Sequence, residues 1–115
     1  MSEFEKAVAA AVAQLKTDAG ESTVDETLVE AVAKGLGPSI YNADASTVSC
    51  SDSEELDRVR ESFVKGKLNV SASDSDIDAA ITSVCHTLGM SNRNKLRIAF
   101  YYLLTKHFSK ENIYA

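Results

Sequence analysis

The sequence predicts an all-α fold: a single compact domain over residues 1–115, of about five helices joined by short turns and one long ordered loop. Three observations predict it. Apolar residues recur at three- and four-residue spacing in five separate stretches. Three of those stretches open on Ser or Thr with Glu three positions later, the pattern of a capping box. Glycines stand where most of them should end. Only residues 67–70 suggest extended chain, and four residues make no sheet.

The elements follow in order. Ser2 and Glu5 form the first capping box, the hydroxyl accepting from the Glu5 N–H. Phe4, Val8, Val12 and Leu15 then share one face, giving a helix over residues 3–18 that Gly20 ends. Thr23 and Glu26 predict the second start, with Val24, Leu28, Ala31 and Val32 as its stripe and Gly35 as its stop. Ser51 and Glu54 predict the third, carrying Leu56, Val59 and Phe63 up to Gly66. Ser73 or Ser75 opens a fourth, with Ile77, Ile81, Val84, Cys85 and Leu88 on its apolar face and Gly89 at its end. Ser91 opens a fifth, with Leu96, Phe100, Leu103 and Leu104 facing inward. Of Tyr101 and Tyr102, on successive sides of that helix, one packs and the other faces outward. The tail after Phe108 is expected to be loosely held, with Ile113 and Tyr114 able to dock.

Composition narrows the function classes. Hydrophobic residues make up 44% and charged residues 25%, a globular balance that excludes collagenous or strongly disordered chains. The chain has 17 acidic and 12 basic residues, a net charge of −5. The signs are unevenly spread: residues 1–62 hold 13 acids and 5 bases, residues 63–115 hold 4 and 7. The total argues against a general nucleic-acid binder, while the basic C-terminal half keeps a local site open. Two cysteines, Cys50 and Cys85, are too few for a disulfide scaffold and are expected as free thiols in a reducing cytosol. Glu3 and Glu5 at the N-terminus do not suit a signal peptide, and no apolar run approaches the ~20 residues of a membrane span. A cytoplasmic protein is the expectation, with no membrane partner.

Leu36 to Cys50 is the segment that carries no long apolar stripe. Loops of such length are uncommon in compact domains and are often functional. Ile40, Tyr41 and Val48 can anchor it, and Asn42, Asp44, Ser46 and Thr47 are residues that bond their own backbone in turns. It reads as a self-capped connection or as a polar surface on a rigid scaffold, with Ser39, Tyr41, Asn42, Asp44 and Ser46 as the candidate interaction loop.

The stretch GPSIYNADASTVS over residues 37–49, with SNRNK over 91–95 and FYYLLTKHF over 100–108, resembles the signature of a small bacterial family described only as a domain of unknown function. The resemblance covers essentially the whole chain. It implies a stand-alone cytoplasmic bacterial protein and brings no activity, ligand or catalytic residue.

The residues themselves offer little catalytic chemistry. Asp74, Asp76 and Asp78 alternate like calcium-loop ligands, but Ala79 and Cys85 stand where Gly and Glu are required. Cys50, Cys85, His86 and His107 lack zinc-site spacing. No GxSxG, GxGxxG or Walker lysine occurs. No cofactor is expected, and the chain reads as non-catalytic. The strongest functional motif runs from Val84 to Arg97, which resembles the turn of a helix-turn-helix with Cys85, Gly89, Met90 and Ser91 in its slots. Ile98 fits the apolar position that follows and Lys95 does not. Asn92, Arg93, Asn94, Lys95 and Arg97 form a candidate basic patch at the start of the following helix. Three functions are weighed: a protein-interaction module, with a protein partner or self-association, alternatively nucleic-acid binding through this motif, and last a hydrolase using the Tyr41 to Asp44 loop.

Overall fold

A computed structural model describes residues 2–114. It is 67% helical, and no strand occurs among the described residues. Five α-helices carry the fold: α1 Glu3–Thr17, α2 Glu26–Leu36, α3 Ser53–Arg58, α4 Asp74–Leu88 and α5 Arg97–His107. The all-α expectation holds.

α5 is the central element. Eight consecutive residues, Ile98 to Thr105, are buried, and α1, α2 and α4 pack around them. A helix apolar on all sides has to be enclosed by others. The surrounding helices each turn one stripe inward: Val8, Ala11 and Leu15 from α1, Leu28, Val29 and Val32 from α2, Ile77, Ile81 and Leu88 from α4. Both Tyr101 and Tyr102 are buried, where one outward-facing ring was expected. Their hydroxyls explain this. Tyr101 accepts from Arg97 at 3.0 Å and Tyr102 accepts from the Asp25 N–H at 3.1 Å, so neither needs water.

The capping residues are only partly those the sequence suggests. Ser2 and Glu5 form the capping box of α1, and Ser73 caps α4. α2 instead starts from Asp25, whose carboxylate accepts from the Leu28 N–H at 3.1 Å. α3 starts from Asp52, which accepts from Glu54 and Glu55. In each case a carboxylate nearer the helix displaces the expected Thr23 or Ser51. α2 runs through Gly35 and ends at Gly37, where φ is +66°.

Beyond α3 the helix widens into a π-helix, Val59–Lys67. The wider turn closes with Leu68 donating to the Phe63 carbonyl at 2.8 Å and Val70 to the Val64 carbonyl at 3.0 Å. It brings Val59, Phe63 and Val64 into the core, and Phe63 stacks on Tyr101 with ring centroids 3.8 Å apart. Gly66 lies inside this helix rather than ending it. The C-terminal tail is also tied down. A 3-10 turn, Glu111–Tyr114, sets Tyr114 half-buried beside Gly35, with the Lys67 ammonium 5.3 Å from its ring centre.

Cys50 and Cys85 are joined as a disulfide, which corrects the expectation of two free thiols. They lie 35 residues apart, one in the long loop and one on α4. The loop folds back over α4, a long-range approach that cysteine spacing cannot reveal.

Candidate functional site

The two segments that stand out in the sequence meet in space. Thr47 and Leu96 form an antiparallel bridge. The Val48 N–H donates to the Lys95 carbonyl at 2.9 Å, and the Arg97 N–H donates to the Ser46 carbonyl at 2.7 Å. The long loop is thereby laced to the chain entering α5.

Arg97 anchors this junction from beneath. Its guanidinium donates to the Ala45 carbonyl at 2.6 Å, the Thr47 carbonyl at 3.0 Å, the Tyr101 hydroxyl at 3.0 Å and the Glu55 carboxylate at 2.7 Å. A planar fork with five donors suits such a set of acceptors. Gln14 of α1 clamps the other side. Its amide donates to the Asn94 carbonyl at 2.6 Å and accepts from the Leu96 N–H at 2.9 Å. Nothing in the sequence marks Gln14, because an amide on an amphipathic helix carries no spacing signal.

The expected helix over residues 91–96 does not form, and α5 begins only at Arg97. Asn92 opens a turn instead. Its side-chain Oδ1 accepts from the Asn94 N–H at 2.9 Å, and its side-chain Nδ2 donates to the Leu88 carbonyl and the Asp18 carboxylate. Lys95, at the position where the helix-turn-helix pattern needs an apolar residue, is 4% exposed. Its ammonium donates to the Met90 and Asn92 carbonyls, which a helix would have engaged. Burial pulls its pKa below the usual lysine range. Of the candidate basic patch, Arg93 and Asn94 face solvent, Asn92 is half-buried, and Lys95 and Arg97 turn inward. These five residues are therefore not one exposed helical patch.

The candidate interaction loop is ordered by its own side chains. Ser39 donates to the Leu36 carbonyl at 2.8 Å. Asn42 accepts from the Asp44 and Ala45 N–H groups at 2.9 and 3.2 Å, and Ser46 donates to the Ala43 carbonyl at 3.3 Å. Tyr41 is 51% exposed and Asp44 is exposed.

Between the laced segments lies a cleft of about 530 Å³. Ser49, Cys50 and Ser51 supply one wall, and Met90, Arg93 and Lys95 the other. The Cys50–Cys85 disulfide ties the first wall to α4. Among the described residues two cations line the cleft and no carboxylate does. Met90 is 51% exposed there, an unbranched apolar side chain held outward beside Arg93. Among the described residues Arg93 makes no ion pair.

Comparison with curated proteins finds no match. A family model does match, over residues 10–112, so both laced segments and the cleft between them fall within it. The chain belongs to DUF2853, a family of proteins of unknown function.

Proposed function

We propose that this protein is a non-catalytic interaction module that engages a protein partner through the cleft between residues 47–51 and 90–95. The observation that carries this reading is the pairing of an exposed Met90 with Arg93, which makes no ion pair among the described residues, on the lining of a cleft of about 530 Å³. Met and Arg are enriched at protein interfaces, because each offers much contact area and adapts to its partner. Rigid support beneath such residues lowers the entropy cost of binding, and Arg97, Gln14 and the disulfide supply it. Nucleic-acid binding through the Val84 to Arg97 segment has less support, since Arg93 and Lys95 lie outside α5 and the Arg97 guanidinium is engaged by Ala45, Thr47, Tyr101 and Glu55.

The test is a photo-crosslinking residue at Met90, with the same residue at exposed Ala9 of α1 as control. A specific adduct at Met90 alone, whose purified partner rebinds the native chain and loses affinity about tenfold or more with Arg93→Glu, supports the reading. An adduct of twice the chain mass identifies the partner as a second copy. Equal adducts at both positions, or none, overturn it. Titration with mixed DNA and RNA covers the other reading: affinity that falls steeply with salt and is lost in Arg93→Ala would replace a protein partner with a polyanion.

A further inference from the structure

We infer that the cleft receives a carboxylate of the partner polypeptide, an acidic side chain or a chain terminus, held between Arg93 and Lys95. This rests on the reading of the cleft as the contact surface. The first support is charge. Among the described residues no carboxylate lines this cleft, and the two that bond its lining, Asp18 on the Asn92 amide and Glu55 on the Ser49 N–H, pair with neither Arg93 nor Lys95. Arg60 and Lys65, by contrast, are surrounded by Glu61, Asp74 and Asp78.

The second support is Lys95 itself. Lysine is almost never fully buried unless paired. Here the residue is 4% exposed, its ammonium has two backbone carbonyls as acceptors at the cleft lining, and no carboxylate partner occurs among the described residues. An ammonium has three donors, so one remains for a group entering the cleft. An anion placed there gains a charge-assisted hydrogen bond and removes the cost of an uncompensated buried charge. Arg93 can close over the same anion from the solvent side, and the Ser49 and Ser51 hydroxyls, bonded to each other at 3.3 Å, leave one neutral donor on the facing wall.

The third support is shape. About 530 Å³ falls in the size range of sites that enclose an organic ligand, roughly 300–1,000 Å³, and exceeds what a lone ion needs. Met90 supplies an apolar contact beside the cations, which suits the carbon chain of a peptide better than a free inorganic anion.

The experiment is an array of short peptides in which every peptide with a central Glu has a twin carrying Gln, and every free C-terminus an amidated twin. The best binder is then titrated into isotope-labelled protein and followed by amide chemical shifts. The expected result is saturable shifts confined to residues 47–51 and 90–95, at least fivefold weaker binding of the neutral twin, and at least tenfold weaker binding to Arg93→Gln. Lys95→Met should lose binding as well. Because Lys95 is buried and its ammonium also ties the turn together, the exposed Arg93→Gln decides. Equal binding of both twins across the array, or none, overturns the inference, and so does inorganic phosphate binding as tightly as the best peptide. If the peptides fail while the Met90 adduct still yields a partner that rebinds, the carboxylate is wrong and the contact surface stands. If both fail, both fall.

Discussion

Arg97 and Glu55 form an ion pair at 2.7 Å across a sequence separation of 42 residues, with 15% and 17% of their side chains exposed. The pair joins the start of α5 to α3, and the same guanidinium holds the carbonyls of Ala45 and Thr47. Removing one partner of such a sequestered pair leaves the other desolvated without compensation. Arg97→Ala should therefore cost about 3 kcal/mol in urea unfolding. Arg97→Lys should recover only part, because an ammonium cannot reach four acceptors in the plane of a guanidinium. A loss below about 1 kcal/mol would show that the loop is held elsewhere.

Gln14 bonds the loop before α5 with both ends of its amide. Gln14→Ala should cost about 1–3 kcal/mol, since it leaves the Asn94 carbonyl and the Leu96 N–H without partners. Gln14→Glu should be no milder despite its matching shape. The carboxylate can still accept from Leu96, but it faces the Asn94 carbonyl with lone pairs against lone pairs. Faster hydrogen exchange at Leu96 in the alanine variant, with α4 amides unchanged, is the local readout.

The Cys50–Cys85 disulfide closes a loop of 35 residues, for which chain entropy gives about 3–4 kcal/mol. The double variant Cys50→Ser with Cys85→Ser should unfold at correspondingly lower urea, and added dithiol should bring the native protein to nearly the same midpoint. Amides of residues 47–52 should lose exchange protection first, because Cys50 is their tie to α4.

Acid should weaken the contact between the π-helix and α4. Hydrogen bonding to Lys65 holds the Asp74 carboxyl below its ordinary range, and Arg60 followed by Lys65 does the same for Glu61. A carboxylate whose folded pKa is depressed stabilises above its unfolded pKa of about 4, and that stabilisation is lost as pH falls through the folded value. Stability should thus decline below about pH 4, and Asp74→Asn should flatten the decline. All these side chains meet solvent, so the effect should shrink in salt.

At the alkaline end Tyr114 reports on the docked tail. Burial, with a smaller contribution from Tyr101, pushes its phenol up to about 12. The neutral phenol is the form the fold accepts, so its contribution is complete below the ordinary value of about 10 and is lost as pH rises through the folded value. Absorbance titration should find Tyr114 ionising late, and Tyr114→Phe should remove one late-ionising phenol while leaving that of Tyr101, which burial also raises. Ionisation of Tyr114 near pH 10 would mean that the tail is not packed in solution.

The sequence by itself determined the fold class and most helix positions. Periodicity and local caps are short-range properties, and Ser2, Ser73 and Gly89 act where the pattern placed them. It also marked the two segments that lace together, 36–50 because it carries no long helical stripe and 91–97 because its Asn, Arg and Lys follow a helix-turn-helix-like turn, although it placed the second segment in a helix that forms only from Arg97. The tertiary structure alone decided what those segments do. Lys95 could not sit in a helix and bury its charge as well, so the chain stays irregular until Arg97 and lends carbonyls to the ammonium. Arg97 reads as an exposed base until the loop supplies acceptors 50 and 52 residues away. Gln14, the Cys50–Cys85 pairing and the acid-free cleft share that origin. Each depends on which distant backbone arrives beside a side chain, and long-range approach leaves no periodic trace in a single sequence.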